Sequence, residues 1–147
     1  MIERYTLPEM AAIWSPDNKF RIWLDIEIFA CEALAKRKEI PQSAVNTMKK
    51  KAGFNIARIN KIEREVKHDV IAFLTSVAEH VGDAARYMHL GMTSSDVLDT
   101  ALAVQLQEAA DLILRQMKLF RTALKKKARK YKNTPVVGRS HGIHAEP

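Results

Sequence analysis

The chain has 147 residues, 47% of them hydrophobic, which suits one modest domain with a single core and is too apolar for a disordered chain. Five Gly and five Pro among abundant Ala, Leu, Ile, Lys and Glu favour helix nearly everywhere. A formal charge of +7, from 24 Lys and Arg against 17 Asp and Glu, favours anionic ligands without naming one, and the absence of any run near the ~18 apolar residues that span a bilayer excludes a membrane helix.

Elements are read in chain order from helical periodicity and its interruptions. The first seven residues are expected to be extended, because Pro8 stands at a first helical position ahead of Glu9, Met10, Ala11, Ala12, Ile13 and Trp14. Ser15-Pro16-Asp17 then ends one helix and starts another. From Asp17 to about Lys38 the residues Phe20, Trp23, Leu24, Ile28, Cys31, Leu34 and Ala35 recur at helical spacing, opposite Lys19, Arg21, Asp25 and Glu32. Cys31, the one cysteine, can form no internal disulfide, reads as a buried free thiol and implies a reducing compartment. With no signal-peptide apolar region at the N-terminus, the expected location is cytoplasmic.

Ile40-Pro41 closes that helix. A second runs to about Ala52, Gly53-Phe54-Asn55 breaks the chain, and a charged helix follows from Ile56 to about Lys67. Asp69 to Val81 predicts another, with the polar step Lys67-His68-Asp69 at the junction. After the break Tyr87-Met88-His89-Leu90-Gly91-Met92, the run Thr93-Ser94-Ser95-Asp96 is suited to cap a helix. No Gly or Pro interrupts residues 93–134, so about 35 residues of helix would extend roughly 50 Å. Val97, Leu98, Ala101, Leu102, Val104, Leu106, Ala109, Leu112, Ile113, Met117, Phe120 and Leu124 cover so wide an arc of it that bundle neighbours are expected from other sequence or other subunits. From Thr134 onward, β-branched and turn residues replace the helical pattern up to Pro147. The ending, directly after a dense polar cluster, is that expected of a piece cut from a longer protein. The predicted organisation is all-α: a small helical domain over residues 1–92 and the opening of a long-helix bundle over 93–147.

Four polar clusters fall at breaks, where functional groups concentrate: Arg4-Tyr5, Lys67-His68-Asp69, His89 to Asp96, and Arg139 to His144. Taken singly, each has an ordinary structural reading. Arg4-Tyr5 makes a surface strap, Asp69 and the Thr93–Asp96 run make helix caps, and Gly138, His141 and His144 shape a turn. The functional reading rests on chemistry. Free N–H groups at the start of the long helix, beside the Thr93 and Ser94 hydroxyls, suit a carboxylate or phosphate. His68, His89 and His141 belong to the residue type that moves protons near neutrality, and Arg4, Lys67 and Arg139 add fixed positive charge. A metal is not expected, since His141 and His144 lack a third ligand and there is no Cys cluster. P-loop, dinucleotide and Gly-x-Ser-x-Gly signatures are absent from the sequence. The basic stretches Lys49-Lys50-Lys51 and Lys125-Lys126-Lys127-Ala128-Arg129-Lys130 lack interleaved aromatics, which favours solvated helix faces over nucleic-acid binding.

Together the stretches Met1-Ile2-Glu3-Arg4-Tyr5, Lys67-His68-Asp69-Val70, His89-Leu90-Gly91-Met92-Thr93-Ser94-Ser95-Asp96 and Gly138-Arg139-Ser140-His141-Gly142-Ile143-His144-Ala145-Glu146-Pro147 resemble the bacterial-type adenylosuccinate lyases of the fumarase/aspartase superfamily. Order and spacing match their N-terminal portion over essentially the whole chain. The resemblance implies β-elimination of fumarate from a succinyl-purine nucleotide and from its imidazole ribotide precursor, with no cofactor and no metal. By the same resemblance, His141 is the catalytic histidine, acting as general acid toward the leaving nitrogen. His68 is a second active-site histidine, also considered for the acid role and placed near the nucleotide phosphate. Arg4 and Tyr5 match nucleotide-binding positions, Lys67 and Asp69 flank that site, Thr93 and Ser94 hold the succinyl carboxylate, and His89 supports the pocket. Many relatives carry Arg where Lys67 stands, which exchanges a bidentate phosphate contact for a point charge. The family's mobile loop with its serine base would lie beyond Pro147, as would most of the bundle that builds its homotetramer, so this stretch alone is expected to be inactive. The readings weighed against this one are a sister lyase, such as argininosuccinate lyase, and a non-catalytic helical assembly module.

Overall fold

The computed structural model describes residues 2–145, and its helices bear out the all-α expectation. Met1, at the start of the Arg4-Tyr5 stretch, and Glu146 and Pro147, at the end of the last one, lie outside the described residues. Six α-helices are present among the described residues: α1 (Pro8–Ile13), α2 (Pro16–Lys36), α3 (Gln42–Lys51), α4 (Ile56–Val66), α5 (Asp69–Val81) and α6 (Ser94–Lys130). The chain divides into two compact units, Met1–Ala109 and Ala110–Pro147.

Local chemistry sets the boundaries in the first unit. Pro8 and Pro16 occupy first-turn positions, where a missing N–H costs nothing, and the Ser15 hydroxyl accepts from the Asn18 N–H to cap α2. The Asn55 side chain caps α4 in the same way, accepting from the Arg58 N–H at 2.9 Å. Helix α2 ends at Lys36, slightly before the expected Lys38. Lys38 adopts φ 63°, and the Glu39 N–H turns back to the Leu34 carbonyl at 3.0 Å. Two further differences are short 3-10 turns. One, Glu3–Tyr5, replaces the expected extended start, and its Tyr5 N–H donates to the Ile2 carbonyl; the other, Gly82–Tyr87, fills what read as the approach to a break.

One core holds this unit together. Phe20, Trp23 and Cys31 of α2 meet Val45 and Met48 of α3, Ile59 and Ile62 of α4, and Val70, Phe73 and Val77 of α5. Val97 and Ala101 close it from the start of α6. Polar bonds fix the corner between the first two helices: the Ile13 carbonyl accepts from Asn18 Nδ2 at 2.9 Å and from Gln105 Nε2 of α6 at 2.7 Å. At the surface, the Arg58 guanidinium grips Glu79 with both nitrogen types, joining α4 to α5, and Lys49 reaches Glu32 at 2.7 Å, joining α3 to α2.

The second unit contains the rest of α6 and a small hairpin. Arg139–Ser140 pairs antiparallel with Ile143–His144, in the register Arg139 to His144 and Ser140 to Ile143. His141 and Gly142, at φ 48° and 80°, form the two-residue turn, the sign of φ that a right-twisted hairpin demands at both positions. Leu114, Met117, Leu119, Phe120 and Leu124 of α6 are all more than half exposed. Among the described residues no helix is long and apolar enough to cross a membrane.

Candidate active site

Four non-glycine residues among those described have positive φ: Lys38, Lys67, His89 and His141. Three of them are residues singled out from the sequence for their chemistry. Left-handed backbone costs a side-chain-bearing residue of order 1 kcal/mol, persists only where the surroundings enforce it, and concentrates at functional sites.

The junction of α4 and α5 shows how such a position arises. Lys67 ends α4 at φ 55°, its N–H donating to the Glu63 carbonyl at 2.8 Å, and its exposed side chain borders an open depression with Asn60, Glu63 and Arg64. That reversal delivers His68 to the N-cap of α5. There the imidazole itself does the capping: Nδ1 accepts from the Ile71 N–H at 3.4 Å. With Nδ1 accepting, the neutral ring carries its proton on Nε2, and Nε2 lies 3.4 Å from the Ser94 hydroxyl at the first turn of α6. Nδ1 also lies 3.6 Å from Asp69 Oδ1. Asp69 accepts from the Val70 N–H at 2.8 Å and adds a favourable negative charge to the first turn.

His68 and Ser94, 26 residues apart, are thus brought together. The cap of α6 comes from within the expected run Thr93 to Asp96. Asp96 supplies it, accepting from the Thr93 N–H at 2.8 Å, while the Asp96 N–H donates to the Thr93 carbonyl at 3.0 Å. Thr93 is exposed and Ser94 is half-buried. Arg4 and Tyr5 are exposed on the N-terminal 3-10 turn, the Arg4 guanidinium 4.7 Å from the centre of the Tyr5 ring. In the second unit, the exposed His141 occupies the first turn position of the hairpin, one residue beyond the strand Arg139–Ser140.

His89 has a partner that reading the sequence missed. Glu27, on α2, is fully buried. Its Oε2 accepts from the His89 N–H at 2.8 Å, and its Oε1 lies 2.7 Å from His89 Nδ1. The signal was present: at positions 20, 23, 27 and 31, Glu27 falls on the apolar face of an amphipathic helix, where an unpaired charge is not tolerated. One turn further, Cys31 donates from Sγ to the Tyr87 carbonyl at 3.4 Å.

Burial, and secondarily the Glu27 charge, push the Cys31 thiol up from 9.0 to about 11. Between those values the unfolded chain has lost a proton that the folded chain keeps, so this contribution is complete below pH 9 and falls as pH rises toward 11. The expected loss is about 2–3 kcal/mol. Urea midpoints measured from pH 8.5 to 11 for the wild type and Cys31→Ala check it, since other alkaline titrations are common to both. Equal pH slopes would show that the thiol contributes nothing.

Comparison with known proteins places these residues in a family context. Residues 3–147 match the family described as Lyase. The whole chain aligns with adenylosuccinate lyase of Synechocystis sp. at 59% identity and with that of Bacillus subtilis at 47%, in each case over 34% of the relative's length. The chain therefore spans about a third of the curated relatives it matches. Among solved structures, a fumarate lyase from Mesorhizobium sp. superposes with a TM-score of 0.85 at 27% identity, covering 92% of this chain and 33% of that one. The 3-carboxy-cis,cis-muconate lactonizing enzyme of Pseudomonas putida gives 0.85 at 29%, covering 96% and 34%.

Proposed function

The chain belongs to the lyase family, and from that premise we propose that it is the N-terminal third of an adenylosuccinate lyase. The full protein would release fumarate from adenylosuccinate, leaving AMP, and from succinyl-aminoimidazole carboxamide ribotide in purine biosynthesis. The observation that carries this reading is the end-to-end alignment with enzymes of that name.

In the elimination a base removes a proton from the carbon beside a carboxylate. The electron pair rests as an aci-carboxylate and then forms the fumarate double bond as the C–N bond breaks, and an acid protonates the departing nitrogen. His141 is the proposed acid. Its place on a two-residue turn, exposed and at positive φ, supports a side chain held out for chemistry rather than for packing. His68 is the second active-site histidine. With Nδ1 engaged by a backbone amide, it presents Nε2–H, a donor suited to the nucleotide phosphate or to a proton transfer. Nε2 lies beside the Ser94 hydroxyl, and Ser94 with Thr93 next to it holds the succinyl carboxylate. Lys67 and Asp69 flank the phosphate, Arg4 and Tyr5 hold the nucleotide, and His89 supports the pocket.

The exposed apolar residues of α6 support a homotetramer in which α6 joins a bundle, and the lone free thiol of Cys31 supports a cytoplasmic location. Loss of adenylosuccinate absorbance on adding the full-length protein tests the function. Turnover of adenylosuccinate is the expected result. No turnover, with cleavage of argininosuccinate or another succinyl amine instead, would move the protein to a sister activity.

A further inference from the structure

Of the five histidines, His89 alone is not exposed; 18% of its side chain remains open. Both oxygens of the fully buried Glu27 carboxylate are committed to it, one to its backbone N–H and one to its ring, and no other ion pair reaches Glu27 among the described residues. A carboxylate removed from water is retained only where it is paired and hydrogen-bonded. Capping a left-handed backbone amide would occupy one oxygen. The second oxygen fixes the imidazole, and because a carboxylate only accepts, the proton on the ring's near side must sit on Nδ1. The far nitrogen, Nε2, is left as an acceptor in the neutral ring and as a charge-assisted donor in the protonated one. Cys31, one turn along α2, ties down the Tyr87 carbonyl, so a single helix holds residues 87–89 at two points. Those residues lead directly into the first turn of α6, where Ser94 meets His68.

We propose that Glu27 is a positioning residue that acts through His89, holding Nδ1–H toward itself so that the ring, when protonated, presents Nε2–H to an anionic group of the substrate. The inference deepens the lyase reading and rests on it for the identity of the ligand, but not for the state of the ring. Glutamine at position 27 has the same shape, yet its amide nitrogen donates and cannot accept, so with its oxygen on the His89 N–H the ring bond persists only in reverse, with the ring proton moved to Nε2.

The test uses the full-length protein labelled with 15N in its histidine rings, with His89 assigned by substitution. Two-bond proton–nitrogen correlations are expected to show Nδ1–H as the dominant neutral tautomer of His89, and a shift toward Nε2–H in Glu27→Gln. In turnover of adenylosuccinate, Glu27→Gln is expected to lower kcat/KM roughly 10–100-fold, chiefly through KM, as removal of an orienting partner does. In a His89→Gln background the same change should cost less than about twofold, because the residue it acts through is gone. Glu27→Asp, which keeps an acceptor, should recover part of the loss. A wild-type His89 that is mainly Nε2–H overturns the proposal, even if Glu27→Gln does not fold, and so does an undiminished penalty in the His89→Gln background. Absence of adenylosuccinate turnover in the wild type would count against the lyase reading alone, leaving the ring measurement to decide the role of Glu27.

Discussion

Replacing His141 by alanine in the full-length protein is expected to lower kcat for adenylosuccinate by about 10²–10⁴-fold, the range in which a positioned general acid contributes. Its stability and assembly should be almost unchanged. The two halves of that expectation come from the same geometry. His141 sits on the turn between two-residue strands with its side chain exposed, so little packing is lost on truncation. Its φ of 48° is required by the hairpin and is adopted by histidine more readily than by alanine, so the backbone adds a cost of only a fraction of a kcal/mol, about the size of that preference. His141→Gln serves as a second variant, keeping a polar side chain of similar reach but no titratable proton. Initial rates from adenylosuccinate absorbance, with sedimentation velocity for the oligomer, measure both quantities. An alanine variant retaining more than about a tenth of wild-type kcat would remove His141 from the acid role, since an acid so dispensable supplies less than the smallest effect expected of one.

Most of the helical framework was legible because its causes are local. The span Asp69–Val81 was read from periodicity and matches α5 end to end, and the long helix without Gly or Pro is α6, Ser94–Lys130. Proline positions and the Ser15 and Asn55 caps act within three residues of themselves. What escaped depends on distant partners or on unusual roles for familiar residues. Glu27 stands in the otherwise apolar run from Ile26 to Cys31, and only the His89 segment, 62 residues away, explains why the charge is tolerated inside. Asp69 meets a first-turn amide as expected, through the Val70 N–H, but the N-cap acceptor is His68, a residue type outside the usual N-cap set. The turn at Lys38 has no glycine to announce it, and the 3-10 turn at Gly82–Tyr87 packs against α3 and α5 rather than following a strong local preference. For the candidate site, the chemistry-bearing positions were visible at the helix breaks, whereas the meeting of His68 with Ser94 is a product of how α5 and α6 share the core.

That dependence of the site on the core makes Phe73 the most informative residue to truncate. Phe73→Ala is expected to cost about 3–5 kcal/mol, as buried Phe→Ala changes do. Phe73 is fully buried on α5, stacked on Phe20 at 5.6 Å with planes 8° apart, edge-on to Trp23 at 5.5 Å, and tilted against Phe54 at 6.3 Å. Those partners come from α2 and from the break before α4, so the cavity would loosen three contacts made with two segments, each aromatic pair adding to the area term. Set against a total of roughly 5–15 kcal/mol for a domain, the loss is a large fraction of what holds the fold. Urea titration should show the midpoint falling with an unchanged slope, while Phe73→Leu, which refills most of the space, should lose markedly less. A loss below about 1 kcal/mol for Phe73→Ala would mean that the cluster collapses around the gap, at the low extreme for large-to-small changes. Phe73 lies five residues beyond His68 on the helix that His68 caps, so a loosened α5 would also weaken the approach of His68 to Ser94. The aromatic cluster therefore supports the proposed chemistry without touching a substrate, by fixing the axis along which that histidine is delivered.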